Sequence, residues 1–493
     1  MDVQRARKAL LARRDGPVLE EQRVVGEQRT MQHVVASICQ RLGEFDPFER
    51  LALGGECGRR VRLRADHDAQ CRVQPIRDND AMTTTVLLIF GLVYLGMILG
   101  GLPFLQLDRT GVALLGAIAM IAGEAVSVED AARSIHLPTL LLLFAFMVVS
   151  AQMRLGGFYD WVTVRLAAMR VAPPSLLAVL IVVVALLSAV FSNDIVCLAV
   201  APVLVNACVR RGLDPIPFLL ALACAANIGS AATLIGNPQN MLIGQTLGLS
   251  FAGYAAEAAL PVLVGLAVTW TLIVAGVRGQ WMLTGDTAAA ASNEASAPGT
   301  LDRWQTAKGL VVAVLVLLAF LFTPWPREVV ALAGAGVLLM SRKLHSSRML
   351  GLVDWELLVL FMGLFVVNDA LQRTGLPAQL VADSEALGLR LDQPAPLFGT
   401  AFLLSNVVSN VPAVMLLLPV AAQQPLAGPL LALSSTFAGN LFIVGSIANI
   451  IVVDAAARCG VRIDWKRHAA IGVPVTLATL ATTALYLWWR MRG

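Results

Sequence analysis

The 493-residue chain is 57% hydrophobic and only 14% charged, and its mean hydropathy is +0.73. Soluble domains carry about 25% charged residues, so this composition excludes a soluble domain and predicts a polytopic membrane protein. The net charge of +4 is small for this length and gives no reason to expect nucleic acid as a partner. The seven cysteines show no paired spacing, so no disulfide framework or zinc site is predicted.

Residues 1–81 are densely charged and contain neither an apolar run long enough to cross a bilayer nor a signal-peptide pattern. From Met82 onward, most apolar segments are near the roughly 20 residues that a helix needs to span the hydrocarbon core. These segments are 85–103, 110–126, 137–153, 174–209, 218–246, 252–277, 309–325, 328–340, 356–371, 394–424, 430–454 and 468–489. The polar stretch 279–306 between the two halves has the composition of a flexible linker.

The two halves repeat a pattern. SNDIVCLAVAP at 192–202 returns as SNVPAVMLLLP at 409–419. The further matched pairs are Gly116 with Gly334, Gly157 with Gly375, Gly236 with Gly445, and Asn240 with Asn449. Weak internal repetition of this length in an apolar chain is typical of secondary transporters built from repeats. We therefore predict a polar tail (1–81), a first transmembrane repeat (82–278), a cytoplasmic linker (279–306) and a second transmembrane repeat (307–493).

Each Ser-Asn segment is too long for one span and carries its polar pair in the middle. This pattern predicts a re-entrant hairpin whose tip lies at mid-depth, where only protein or water can surround it. Each half then crosses the membrane five times, so the second repeat must be inverted relative to the first. Most Lys and Arg outside the tail fall on one face, which is assigned to the cytoplasm. The tail, which is rich in basic residues, would then lie on the opposite, outer face, against the positive-inside rule. This conflict favours Met82 as the biological start, and the alternative is a regulatory tail.

A broken helix is predicted in each half. Gly236, Asn237 and Pro238 interrupt the first because proline lacks an N–H donor and glycine adds backbone freedom. Gly445 and Ser446 interrupt the second more weakly, without proline. Exposed carbonyls together with Asn and Ser oxygens suit a desolvated Na⁺, whereas half-helix N-termini suit an anion.

The structural alternative is that these polar residues only support the helices. Asn193, Asp194 or Asn410 could cap the returning helix of a hairpin, and small polar residues could allow close packing. The duplication of both features favours a functional role, because buried polar groups in a membrane are costly. Asp194 stands in the middle of its hairpin, where an acid is a candidate cation ligand or proton carrier.

The paired Ser-Asn tips, the Gly-Asn-Pro-Gln-Asn break and the pattern STFAGNLFIVGSIANIIV at 435–452 resemble the citrate-transporter-like permeases of the ion transporter superfamily. That group includes divalent anion/sodium symporters, arsenite permeases and sodium/proton antiporters. The resemblance covers about residues 82–493 and implies two half-sites. Substrate binding would involve Ser192, Asn193, Asn237, Ser409, Asn410, Thr436 and Ser446. Cation coupling would involve Asp194, Gly236, Pro238, Asn240, Gly445 and Asn449.

One departure bears on the substrate. The dicarboxylate symporters carry Ser-Asn-Thr at both tips, but here the third residues are Asp194 and Val411. A carboxylate at the tip would repel a dianion unless it is protonated or bound to a cation, and Asn-Asp looks more like the arsenite-permease branch.

We therefore predict an all-α, multi-pass protein of the bacterial inner membrane that moves a small anion by alternating access, coupled to Na⁺ or H⁺. Arsenite or oxyanion efflux and Na⁺/H⁺ antiport are the alternatives within transport. An intramembrane enzyme is the alternative outside it, but the chain lacks the HExxH and Gly-x-Ser-x-Gly motifs. The expected partners are the small anion and the lipid bilayer, with a homodimer left open. No cofactor is expected besides Na⁺ as the candidate coupling ion.

Overall fold

The computed structural model describes residues 80–102, 105–282, 301–386, 390–391, 393–421, 424 and 426–492. Residues 1–79 of the predicted tail (1–81) and most of the predicted linker (279–306) therefore lie outside the described residues. The described residues are almost entirely helical, as predicted. A short antiparallel pair of strands, β1 (Gly101–Leu102) and β2 (Leu107–Asp108), joins the first two helices.

Most described helices of the first half follow the predicted apolar segments, and two short helices, Val128–Ser134 and Phe158–Ala167, lie outside them. In chain order, the described helices of this half are α1 (Asp80–Leu99), α2 (Arg109–Ala122), α3 (Val128–Ser134), α4 (Leu137–Leu155), α5 (Phe158–Ala167), α6 (Pro173–Val190), α7 (Asn193–Arg210), α8 (Pro215–Ser230), α9 (Pro238–Thr246) and α10 (Phe251–Val277). Segment 174–209 thus forms two helices, α6 and α7, and segment 218–246 forms α8 and α9.

The second half follows the same order. Its described helices are α11 (Arg303–Phe322), α12 (Arg327–Leu339), α13 (Ser346–Leu350), α14 (Trp355–Arg373), α15 (Leu376–Ala386), α16 (Pro394–Val408), α17 (Asn410–Ala421), α18 (Ala427–Ala438), α19 (Ile447–Arg458) and α20 (Trp465–Arg490). Segment 394–424 forms α16 and α17, and segment 430–454 falls in α18 and α19. Ser409, between α16 and α17, has a φ of 79°, which few residues other than glycine adopt.

Eight of the described helices, α1, α4, α6, α7, α10, α11, α14 and α20, are long and apolar enough to cross a membrane. Their outward surfaces are apolar as well. Leu88 of α1 is 69% exposed and Phe322 of α11 is 79% exposed. In water such surfaces would be unfavourable, but lipid tails are as apolar as leucine. The structure therefore agrees with the prediction of a multi-pass membrane protein.

The helices form two packed groups. Helices α1, α2, α4, α11, α12 and α14 make up one group, named the frame here, and α6 to α10 with α16 to α20 make up the other, named the bundle. In the frame, α2 packs on α14 and α4 packs on α12. Helices α2 and α12 occupy corresponding places in the two halves, and so do α4 and α14. Each pair therefore joins a helix of one type from one half to a helix of the other type from the other half, as a two-fold relation would require. This pairing supports the predicted repeat, whose inversion in the membrane stays a prediction.

Glycines permit the closest helix contacts. A Cβ at Gly229 of α8 would lie 2.3 Å from the Cα of Ala185 in α6, and one at Gly363 of α14 would lie 2.7 Å from the backbone of Ala113 in α2. The matched residues Gly157 and Gly375, which follow α4 and α14, both adopt left-handed φ values, 72° and 74°. The backbone therefore turns in the same way at the end of these two frame helices.

Candidate functional site

The first helix break is longer than predicted. Helix α8 ends at Ser230 and α9 begins at Pro238, whereas the sequence placed the interruption at 236–238. The exposed carbonyls find partners that the sequence does not reveal. The Tyr254 hydroxyl donates to the Ala231 carbonyl at 2.8 Å, and the Asn240 amide donates to the Thr233 carbonyl at 3.1 Å. These bonds stabilise an early helix end.

The second break lies between Ala438 and Ile447 and contains a 3₁₀ turn at Ile443–Gly445. The predicted interruption at Gly445 and Ser446 lies at the end of this break, which begins earlier than predicted because α18 ends at Ala438. The prediction that the second break is the weaker one is wrong, because 439–446 is at least as long an interruption as 231–237 in the first half. The side-chain amide of Asn449 donates to the carbonyls of Gly439 at 2.7 Å and Phe442 at 3.0 Å. The Asn449 amide thus satisfies two carbonyls of this loop, so the break is stabilised without the proline that interrupts the first helix.

Asn237 organises the first half-site. Its Oδ1 accepts from the Asn240 backbone N–H at 2.9 Å, which caps α9. Its Nδ2 donates to Ser230 Oγ at 2.9 Å and to Thr436 Oγ1 at 3.2 Å. The predicted residues Asn237, Asn240 and Thr436 therefore come together, although they belong to different halves. Pro238 begins α9, and the Gly236 carbonyl accepts from the Asn193 backbone N–H at 3.3 Å.

Asn227 of α8 joins the two half-sites, and the sequence analysis did not single it out. Its Oδ1 accepts from Asn193 Nδ2 at 3.1 Å and from Ser446 Oγ at 2.9 Å. Its Nδ2 donates to Asn440 Oδ1 at 2.9 Å and to Asn449 Oδ1 at 3.1 Å. The signal that could have revealed Asn227 and Asn440 is the presence of an amide in an otherwise apolar segment of the sequence, because a buried amide is costly in a membrane.

The second half-site includes Asn406, one helical turn before the predicted tip. Its Nδ2 donates to the Phe402 carbonyl at 3.0 Å, so its Oδ1 points elsewhere. A Cβ built at Gly445 would lie 3.4 Å from that Oδ1, and one at Gly439 would lie 3.4 Å from Asn410 Nδ2. Hairpin α16–α17 therefore meets the second break through Asn406 and Asn410.

Several polar atoms at these tips are buried without a hydrogen-bond partner among the described residues. They are Oδ1 of Asn193, Asn406 and Asn410, Oγ of Ser405, and Nδ2 of Asn440. Buried polar atoms in proteins are normally paired. Four of the five are oxygen acceptors, so the site as it stands presents mainly unpaired oxygen.

Three predicted residues lie beside this network rather than in it. Ser192 is the N-cap residue of α7 but makes no side-chain cap bond, and Ser409 is the turn residue of the other hairpin. Asp194, the second residue of α7, is half-buried. The capping alternative fails for Asn193, because its side chain bonds Asn227 instead.

The frame and the bundle share polar contacts on the face that the predicted topology places outside. Gln245 of α9 donates to Glu328 of α12 at 3.3 Å, and Arg327 donates to the Leu249 carbonyl. A cavity of about 300 Å³ lies between α9, α14, α17 and the connection from α3 to α4, and its lining includes His136 and Asp369.

Comparison with known proteins agrees with this architecture. A family model described as "Citrate transporter" (CitMHS) matches residues 85–436. The "46 kDa membrane protein" of Mycobacterium leprae is 30% identical over 405 residues, covering 78% of this chain and 94% of that protein. The "Silicon efflux transporter LSI3" of Oryza sativa subsp. japonica is 32% identical over 464 residues, covering 80% of this chain and 95% of LSI3.

Among solved structures, the YdaH transporter of Alcanivorax borkumensis has the same fold, with a TM-score of 0.50 at 15% identity over 84% of this chain and 98% of YdaH. The family, LSI3 and YdaH are named as transporters and not as enzymes. The chain is therefore a multi-pass membrane transporter of the citrate transporter (CitMHS) family.

Proposed function

We propose that this protein is a secondary active transporter that moves a small anion with Na⁺ or H⁺ by alternating access. The observation that carries the proposal is the set of buried, unpaired oxygens at both hairpin tips, on Asn193, Asn406 and Asn410. A buried acceptor without a donor costs about 1–3 kcal/mol. A desolvated cation would satisfy such an oxygen at each tip, and amides bind it without the cost of burying a fixed charge.

The anion would bind next to the cation. The amides and hydroxyls of both breaks bond one another, as the bonds of Asn227, Asn237 and Ser446 show. The imidazole of His468 also bonds the second break, through its Nε2 and the Asn440 carbonyl at 3.2 Å. Because no fixed positive charge belongs to this network, an anion depends on the bound cation for its electrostatic stabilisation. The unpaired Asn440 Nδ2 and the N-terminal end of α19 are the donors available to it. This dependence would couple the two fluxes.

Movement of the bundle against the frame is the proposed conformational step. The bundle holds both hairpins and both breaks, so it can carry the complete site as one body. The contacts of Gln245 with Glu328 and of Arg327 with Leu249 cross the boundary and would have to break during that step.

Efflux of arsenite or another oxyacid is the second candidate, and Asp194 favours it. Its carboxyl group lies at the first tip, beside Asn193, and repels a dianion when ionised. A weak oxyacid that is neutral or carries one charge avoids this repulsion, and its hydroxyl groups can donate to the unpaired oxygens. The relative LSI3, named as a silicon efflux transporter, makes silicic acid worth including in the test.

The test is a flux screen in proteoliposomes with citrate, succinate, sulfate, phosphate, arsenite and silicic acid, under imposed Na⁺ or pH gradients. We expect one solute to accumulate only while a gradient persists, and an ionophore that dissipates the gradient to abolish accumulation. The matched variants are Asn193→Leu and Asn410→Leu, which remove the unpaired oxygens and should abolish coupled flux. Na⁺-driven proton movement without flux of any solute would replace the proposal with an antiporter.

A further inference from the structure

The side-chain amide of Asn227 makes four hydrogen bonds, two through its oxygen and two through its nitrogen. Asn227 is 2% exposed, its oxygen accepts from Asn193 and Ser446, and its nitrogen donates to Asn440 and Asn449. Two of these partners, Asn193 and Asn449, belong to different halves of the chain. Asn227 therefore connects the first hairpin tip to the second helix break.

The partners at one end of this connection determine the orientation of every amide along it. Asn449 donates to two backbone carbonyls, those of Gly439 and Phe442. A carbonyl can only accept, so the NH₂ group of Asn449 must face these carbonyls and its oxygen must face Asn227. The assignment of amide oxygen and nitrogen at Asn449 therefore follows from its partners.

The same reasoning continues to the first tip. Because Asn449 presents oxygen, Asn227 must present its NH₂ group to Asn449 and its oxygen to Asn193. Asn193 must then present its own NH₂ group to Asn227. Its oxygen is left pointing away, buried and without a partner among the described residues. If the Asn193 amide flipped, two carbonyl-type oxygens would face each other, and an NH₂ group would replace the oxygen at the tip.

We propose that Asn227 is a positioning residue through which the second helix break, acting via Asn449, keeps the Asn193 oxygen directed at the coupling cation. The inference rests on the proposed function, because it assumes a cation at the first tip. It makes the two half-sites interdependent: a disturbance in the second break reduces cation binding in the first half-site, although Asn449 and Asn193 share no hydrogen bond. A purely structural role for the four bonds would not produce this dependence.

The experiment is a double-mutant cycle on cation affinity, measured with the full chain in detergent. NaCl is titrated against choline chloride at constant ionic strength, and a pH series serves as the proton titration. The readout is the cation concentration that gives half of the maximal thermal stabilisation. The variants are Asn193→Leu, Asn449→Leu and their combination, each in the parent and in an Asn227→Leu background. Asn449→Ser replaces Asn449→Leu if the leucine variant does not fold.

We expect the effects of Asn193→Leu and Asn449→Leu to be non-additive by about tenfold in half-maximal concentration, within the range found for groups of one hydrogen-bond network. The non-additivity should disappear in the Asn227→Leu background. Asn368→Leu in α14 is the control, because this buried amide accepts from the Tyr94 hydroxyl and donates to the Leu364 carbonyl, outside the network, and should combine additively with Asn193→Leu. Its own effect on stability is cancelled by the cycle.

The outcomes separate the two proposals. A parent protein that Na⁺ or protons stabilise, but whose cycle is additive, would overturn the role of Asn227 and leave the proposed function intact. Non-additivity that persists in the Asn227→Leu background would also overturn it, since the coupling would then take another route. A parent that neither cation stabilises would overturn the proposed function, and this inference with it.

Discussion

Replacement of Gly236 with alanine is expected to destabilise the first helix break and to abolish transport. The added Cβ would lie 2.1 Å from the carbonyl oxygen of Ser230 and 2.7 Å from its Cα, far inside the 3.4 Å at which ordinary contact begins. All of these are backbone atoms at the end of α8, so no side-chain rotation relieves the overlap. The loop 231–237 must therefore move away from α8.

Three contributions set the magnitude. Overpacking of a closely packed site costs about 1–3 kcal/mol. Displacement of the Gly236 carbonyl weakens its bond with the Asn193 N–H, for about 0.5–1.5 kcal/mol. The smaller conformational entropy of the unfolded alanine chain returns about 0.4–1 kcal/mol. The mid-range values add to a fall of about 2 kcal/mol in the free energy of unfolding.

The assay is thermal unfolding in detergent, followed by flux of the parent's substrate in proteoliposomes. Gly399→Ala in α16 is the matched control, because a Cβ there meets no atom within 4 Å, and alanine stabilises a helix interior by roughly 0.5–1 kcal/mol. Parent-like unfolding and full flux for Gly236→Ala would refute the steric argument. An equal loss in the Gly399→Ala control would show that the effect is not specific to the break.

Further predictions concern the tips and the outer face. Asp194→Asn should abolish gradient-driven accumulation while equilibrium exchange of substrate survives; accumulation equal to the parent's at every pH would remove Asp194 from the coupling mechanism. Cysteines at positions 192 and 409 should react with a membrane-impermeant thiol reagent from opposite sides, and labelling of both from one side would rule out the inverted repeat. The pKa of Asp130 is lowered, first by the Ser127 hydroxyl and further by Arg373. The stability that ionised Asp130 contributes is therefore fully present above the ordinary Asp pKa of about 4, and it is lost as the pH falls through the lowered value. In thermal unfolding, Asp130→Asn should therefore be less stable than the parent at neutral pH and equal to it in strong acid, and a constant difference down to strong acid would contradict this assignment.

The helices could be predicted from the sequence because hydropathy and length directly report what crosses a bilayer. The apolar segments 137–153 and 356–371 correspond closely to Leu137–Leu155 and Trp355–Arg373. The interruption of segments 174–209 and 394–424 at their Ser-Asn pairs could be predicted, because each segment is too long for a single span. The return of each segment to the side from which it started stays a prediction.

The start of each break could not be predicted in this way. It depends on side chains distant in sequence, such as Tyr254 for the first break and Asn449 for the second, which satisfy carbonyls that a helix would otherwise use. Asn227 was missed for a related reason: its partners Asn440 and Asn449 lie more than 200 positions away. Asn406 lies one helical turn before the predicted tip, and the structure brings both Asn406 and Asn410 to the second break.

The neutrality of the amide network has an electrical consequence. Under the proposed mechanism, Asp194 is the ionisable group that the first tip carries as the bundle moves. An ionised Asp194 gives the empty bundle a negative charge, and displacement of one charge through the whole membrane field amounts to about 2.3 kcal/mol per 100 mV. A membrane potential that is negative inside would then drive the negatively charged empty bundle toward the outer side. A bound Na⁺ or proton cancels that charge. The membrane voltage would therefore set the resting orientation of the empty transporter, but it would not act on a tip whose charge a bound cation has neutralised.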